Sequence, residues 1–214
     1  MSNYKYLRVS GVIEIFNRIY PQAVCSLEYK DPLQLLISTQ LSAQCTDARV
    51  NIVSKSLFAK YKNVYDFAGA DLCTLEQYIR STGFFHNKAK NIIGCCKMVV
   101  DKFNSKVPDS MEDMLCLPGV GRKTANLVLG DIYGIPGIVV DTHVKRLSKR
   151  IGLSENDDPQ KVEFDLMECI PKEYWGKFCH QMVYHGRAVC NARKPKCIEC
   201  KILEYCNYGQ KMQS

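Results

Sequence analysis

No stretch of this 214-residue chain alternates apolar and polar side chains for long enough to build a sheet. A half-buried strand needs that period of two. Ile138-Val139-Val140 is the only strand-like run, and it is too short. Apolar residues recur instead at helical spacing between cap residues, so the chain is expected to be all-α. Ser10 offers a start for a first helix with the stripe Val12, Ile15, Phe16 and Ile19, and Pro21 stops it. Asp31-Pro32-Leu33-Gln34 supplies a cap, a proline at N1 and a glutamine at N3. Further helices are expected from Thr46, from Asp71 with Gly83 as a left-handed cap, and from Asn87. Ser110 starts another, and one runs from about Arg122 to Tyr133, closed by Gly134. Helix 142–151 buries Val144, Leu147 and Ile151 and shows Lys145, Arg146, Lys149 and Arg150. Helices from Asp158-Pro159 and over 173–189 precede a cysteine-rich tail.

Chemistry concentrates between residues 117 and 143. Leu117-Pro118-Gly119-Val120-Gly121-Arg122-Lys123-Thr124-Ala125 reads as a helix end, a tight glycine hairpin and a second helix start. Gly119 and Gly121 permit positive φ and close approach of a phosphate. The amides of Val120, Gly121 and Arg122 then sit at a helix N-terminus, where an anion is favoured. Such a hairpin grips a nucleic-acid phosphate without reading sequence. Lys123, in the first turn, admits two readings: a surface phosphate contact, or a nucleophilic amine. The second requires a neutral amine, which desolvation and the positive helix end would favour. Its helical neighbours Asn126, Leu127 and Gly130 are uncharged, so partial burial is expected. Asp141 stands where it would cap the helix beginning at Thr142.

A hydrophobic content of 46% and a charged content of 24% are those of an ordinary soluble protein. The net charge of +7 suits a polyanionic partner without proving one. MSNYKYLRVSGVIEIFNRIY has no apolar signal core, and no apolar run approaches a membrane span, so a cytoplasmic location is expected. Of the twelve cysteines, eight (25, 45, 73, 95, 96, 116, 169 and 179) fall among helical apolar positions and are expected to be buried reduced thiols. The remaining four, Cys190, Cys197, Cys200 and Cys206, lie within 17 positions, which points to a metal site. Chemistry alone leaves zinc and iron–sulfur open. The layout is neither the usual zinc ribbon nor a ferredoxin run.

LPGVGRKTA and VVDTHVKR resemble the helix-hairpin-helix-Gly/Pro-Asp superfamily of DNA glycosylases, and with the cysteine spacing the chain resembles its endonuclease III family over nearly its whole length. The resemblance implies two helical domains, a six-helix barrel with the hairpin over residues 25–135 and an iron–sulfur domain from 1–24 with 136–214, with a DNA-binding cleft between. It implies a [4Fe–4S] cluster on the four cysteines, with Arg193, Lys194 and Lys196 on a loop that meets DNA phosphates. It makes Lys123 the nucleophile and Asp141 the essential carboxylate. Gln44 matches a residue that plugs the hole left by an extruded nucleotide. Phe84 stands where many relatives carry a leucine wedge. The implied activity is base-excision removal of oxidised pyrimidines from duplex DNA. It proceeds through a Schiff base on Lys123 and β-elimination on the 3′ side of the abasic site. The implied enzyme is a monomer in a bacterial cytoplasm, associated with the nucleoid through DNA.

Three rivals remain open at this point. An adenine-removing glycosylase of the same superfamily normally lacks the lysine and carries an extra C-terminal domain. A noncatalytic hairpin module has no reason to pair Lys123 with Asp141. An electron-transfer protein would need neither.

Overall fold

The computed structural model describes residues 3–212, with side chains from Leu7 onward. Helices account for every regular element among the described residues. None of these helices is long and apolar enough to cross a membrane. The chain divides into two compact units: Cys25–Ile135, and the chain up to Val24 together with that from Pro136 onward.

Helix α1 (Asn3–Ile19) belongs to the second, discontinuous unit. It begins seven residues before the expected start. Ser10 lies inside it, and its hydroxyl donates to the Leu7 carbonyl rather than capping an end. A serine that satisfies itself within the helix sends no start signal.

The continuous unit holds α2 (Pro32–Leu41), α3 (Asp47–Lys60), α4 (Val64–Ala68), α5 (Leu72–Ile79), α6 (Phe85–Lys102), α7 (Met111–Cys116) and α8 (Arg122–Tyr133). Caps explain most of the starts. Asp31, Thr46, Asn63, Asp71 and Ser110 each accept from a backbone N–H three residues on. Gln34 also reaches back, accepting from the Lys30 N–H at 3.1 Å. Helix α5 stops at Ile79, a 3-10 turn covers Arg80–Thr82, and Gly83 comes next with φ 71°. Asn87 caps nothing. Helix α6 already starts at Phe85, behind Phe84 in a left-handed conformation. The core of this unit includes Leu36, Leu57, Phe67, Ile79, Ile92 and Val128.

The second unit resumes with α9 (Thr142–Ile151), α10 (Pro159–Cys169), α11 (Trp175–Ala188) and α12 (Asn207–Lys211). Short 3-10 turns at Cys197–Glu199 and Leu203–Tyr205 carry the cysteine segment. Val12, Phe16, Val144, Leu147, Leu166 and Phe178 pack together in its core. The thiols divide. Cys95, Cys96, Cys169 and Cys179 are buried as expected, Cys25 and Cys45 are half-buried and lie outside the helices, and Cys73 and Cys116 are exposed. Helical spacing alone did not separate the inward face from its edge at those two positions.

Candidate functional site

The glycine hairpin joins α7 to α8. Ser110 caps α7 by accepting from the Asp113 N–H at 3.1 Å, and Leu117 ends it. Gly119 has φ 74°, and a Cβ there would meet Asn91 Cβ at 2.8 Å and Gln40 Oε1 at 3.0 Å. The turn therefore needs glycine for both conformation and space. Gly121 differs. It is an extended N-cap with φ −107°, and a Cβ there would meet nothing within 4 Å. Its missing side chain leaves the backbone open to an approach from outside.

Val120 does not present its amide as expected from the sequence. Its N–H donates to the Leu117 carbonyl at 3.1 Å and its side chain is buried, so it shapes the turn. Arg122 and Lys123 open α8. Lys123 is exposed, and burial begins only at Thr124. The expected partial burial fails for a geometric reason. Side chains lean toward the N-terminus of their helix, so a second-position lysine projects off the end.

Gln44 and Phe84, both in the continuous unit, are exposed, Phe84 to 63%. Both have left-handed backbones, φ 53° and 49°. Only four non-glycine residues among those described share that feature. A left-handed backbone at a side-chain-bearing residue costs on the order of 1 kcal/mol and tends to be kept where function uses it. The sequence did not show this conformation at either residue.

In the other unit, Asp141 Oδ1 accepts from the Val144 N–H at 2.7 Å and caps α9. Further along α9, two arginines run to the cysteine segment instead of standing free. Arg146 donates to the carbonyls of Gly186 and Cys190 at 3.1 and 3.0 Å. Arg150 donates to Cys190 Sγ at 3.2 Å and to the carbonyls of Asn191 and Ala192 at 2.8 Å each. The sequence offered these arginines only as a basic face, because their partners lie some forty residues away. Arg193, Lys194 and Lys196 are exposed on the segment so held.

Cys190, Cys197, Cys200 and Cys206 line one apolar pocket with Leu147, Ile151 and His185. Burial pushes the Cys200 thiol up to about 11, and the neighbouring thiols of Cys206, Cys190 and Cys197 add to the rise. N–H donors already face these sulfurs: Arg150 on Cys190, and the Gly209 amide on Cys206 at 3.4 Å. His185 Nε2 stands 3.4 Å from Cys200 Sγ, and Tyr20 O–H is 3.1 Å from its Nδ1. Burial pushes the imidazole down to about 4, so His185 is neutral at ordinary pH. Among the described residues, no three His, Cys, Asp or Glu side chains close on a point that would hold a single ion. Four thiols lining one pocket, two of them met by N–H donors, form the kind of donor set that holds a thiolate-bound metal centre.

Comparison with known proteins gives this geometry a context. The family model of the HhH-GPD superfamily of base excision DNA repair proteins matches residues 37–172. Endonuclease III of Synechocystis sp. strain PCC 6803 is 51% identical over 207 residues, 96% of this chain and 94% of that protein. Endonuclease III of Bacillus subtilis strain 168 is 45% identical over 90% of this chain and 89% of its own length. A solved non-covalent complex of an endonuclease III with DNA superposes at a TM-score of 0.93 with 44% identity, covering 100% of this chain and 99% of that one. A trapped covalent endonuclease III–DNA intermediate matches at the same TM-score and identity, over the full length of both chains.

Proposed function

We infer that this chain, which belongs to the endonuclease III enzymes of the HhH-GPD superfamily of base excision DNA repair proteins, is a DNA glycosylase with an abasic-site lyase activity. Its partner is DNA. The substrate we assign is duplex DNA with an oxidised pyrimidine or an abasic site, bound by a monomer in the compartment of the bacterial chromosome. The two compact units are its two domains. The observation that carries the residue-level reading is the exposed Lys123 at the start of α8, beside a hairpin whose Gly121 leaves the backbone open.

The extruded nucleotide presents C1′ to Lys123. The amine forms a bond to C1′ as the glycosidic bond breaks, and the base leaves with that electron pair and takes up a proton. Ring opening gives a Schiff base between Lys123 and the sugar. Loss of a proton from C2′ then expels the 3′ phosphate, which cuts the strand. Lys123 is water-exposed in the free protein, so its desolvation comes from the DNA laid over it. Asp141, fixed by its own cap, supplies the negative charge that offsets the cationic sugar. The hairpin backbone at Gly121 and the basic loop hold phosphates, while Gln44 and Phe84 fill the vacated stack.

The cysteine pocket fits a [4Fe–4S] cluster, with Cys190, Cys197, Cys200 and Cys206 as its ligands. Such a group, when bound, crosslinks the segment and fixes the loop bearing Arg193, Lys194 and Lys196.

Borohydride trapping tests the reading. It reduces the Schiff base and leaves protein covalently on a duplex carrying thymine glycol. Lys123→Gln is expected to abolish trapping and to bind the same duplex nearly as well as the unaltered protein. Undiminished trapping by the variant removes Lys123 from the mechanism.

A further inference from the structure

Lys88 is the one buried lysine among the described residues, 6% exposed. It lies in the first turn of α6, near the positive end of that helix, where a cation is disfavoured. Burial pushes its ammonium down from the usual lysine range. Such a costly placement needs partners, and Lys88 has two. Its Nζ donates to the Leu41 carbonyl at 2.7 Å and to the Thr82 carbonyl at 2.8 Å. Leu41 is the last residue of α2, and Thr82 the last of the 3-10 turn before Gly83. Carbonyls at helix ends have no ladder partner, so one ammonium satisfies two of them.

The residues just beyond each carbonyl give the arrangement its meaning. Three positions after Leu41 comes Gln44, and two after Thr82 comes Phe84. Both are exposed and both have left-handed backbones. The Lys88 N–H also donates to the Phe84 carbonyl at 3.1 Å. Lys88 thus holds the segments that carry both side chains at once, although they are forty residues apart in sequence. A leucine or methionine would fill the same space without the desolvation. Neither could donate to either carbonyl.

We propose that Lys88 is a positioning residue: it fixes the spacing between Gln44 and Phe84, so that the two enter the DNA stack as a unit when a nucleotide is extruded. The proposal rests on the reading of Gln44 and Phe84 as stack fillers.

The test compares single-turnover cleavage of two duplexes, one with thymine glycol paired to adenine and one with a preformed abasic site. Less has to be unpaired at the abasic site. A 2-aminopurine beside the lesion reports unstacking. Lys88→Met is expected to slow the paired lesion at least tenfold more than the abasic site and to weaken the 2-aminopurine signal. In a chain already carrying Gln44→Ala and Phe84→Ala, the same change should shift the ratio of the two rates by less than twofold, because the coupling has nothing left to position. Equal losses on both duplexes, with a lowered Tm, would mean that Lys88 only supports the fold, and the proposal would be overturned. Should Lys88→Met not fold, Lys88→Gln decides. The glutamine nitrogen stands one bond short of the lysine Nζ and cannot keep both contacts, so the paired lesion should again be slowed more than the abasic site, and an unchanged ratio of the two rates overturns the proposal. Inactivity of the unaltered protein on both duplexes would instead refute the function it rests on.

Discussion

Arg150 donates to Cys190 Sγ at 3.2 Å, and the same guanidinium reaches the next two carbonyls of the loop. It also lies over the Tyr208 ring at 4.8 Å. One planar cation therefore sets where the cysteine segment leaves α11 and turns toward its basic residues.

Replacing Arg150 by leucine should loosen that segment. Hydrogen bonds from a charged donor contribute about 1.5–3 kcal/mol each, so thermal unfolding should move down by several degrees. Affinity for damaged and undamaged duplex should fall together. Arg150→Lys should not restore either, because an ammonium cannot span a sulfur and two carbonyls. Calorimetry and fluorescence-anisotropy titrations read both effects. Full recovery with lysine would reduce Arg150 to a simple charge.

The two hairpin glycines should separate cleanly. Gly119→Ala forces a Cβ into Asn91 at a backbone of φ 74°, so stability should drop by roughly 1–3 kcal/mol in urea titrations. Gly121→Ala meets open space and should cost no more than about 1 kcal/mol, the loss of glycine as an N-cap. It should nevertheless weaken DNA binding, because the added methyl would occupy the open space where the phosphate contact is proposed. Normal DNA affinity in Gly121→Ala would show that the backbone there does not touch DNA.

Asp141→Asn keeps a side chain that caps a helix as well as aspartate does, so Tm should change little. The charge is gone, and turnover of thymine-glycol duplex should fall by about two orders of magnitude or more. Binding to a duplex with an uncleavable abasic analogue should persist. Near-normal turnover would leave Asp141 as a cap alone.

Neutralising Arg193, Lys194 and Lys196 together should lower affinity equally for damaged and undamaged duplex. The plot of log affinity against log salt should flatten by about 0.9 for each phosphate that the loop no longer neutralises. The iron content and brown colour expected of the proposed [4Fe–4S] cluster should be the same in the triple variant and the unaltered protein. An unaltered salt slope would leave the three charges as a solvated face.

Much of this was legible in the sequence because the signals are local. Asp31, Thr46, Ser110, Asp141 and Asp158 each cap the helix they precede, through bonds that span three residues. Gly134 closes α8 for an equally local reason. The features that stayed hidden depend on distant partners. Lys88 looks like any helical lysine until Leu41 and Thr82 are brought to it. Arg146 and Arg150 read as surface charge because their acceptors come some forty residues later. Asn87 offered a plausible cap, but Phe84 adopts a left-handed turn that starts α6 earlier. Lys123 shares its helical face with buried residues and still emerges into solvent, because periodicity does not describe what happens at a helix end.

The chain path imposes an order on biosynthesis. Helix α1 leaves the ribosome before the helices it packs against, since Val12 and Phe16 share a core with Val144, Leu147, Leu166 and Phe178. All of Cys25–Ile135 emerges in between and, being continuous, can fold as soon as it is complete. The apolar stripe of α1 therefore waits uncovered through most of translation. Once Ile135 has cleared the ribosome, the chain can hold one finished unit and one exposed amphipathic helix, a substrate for holding chaperones.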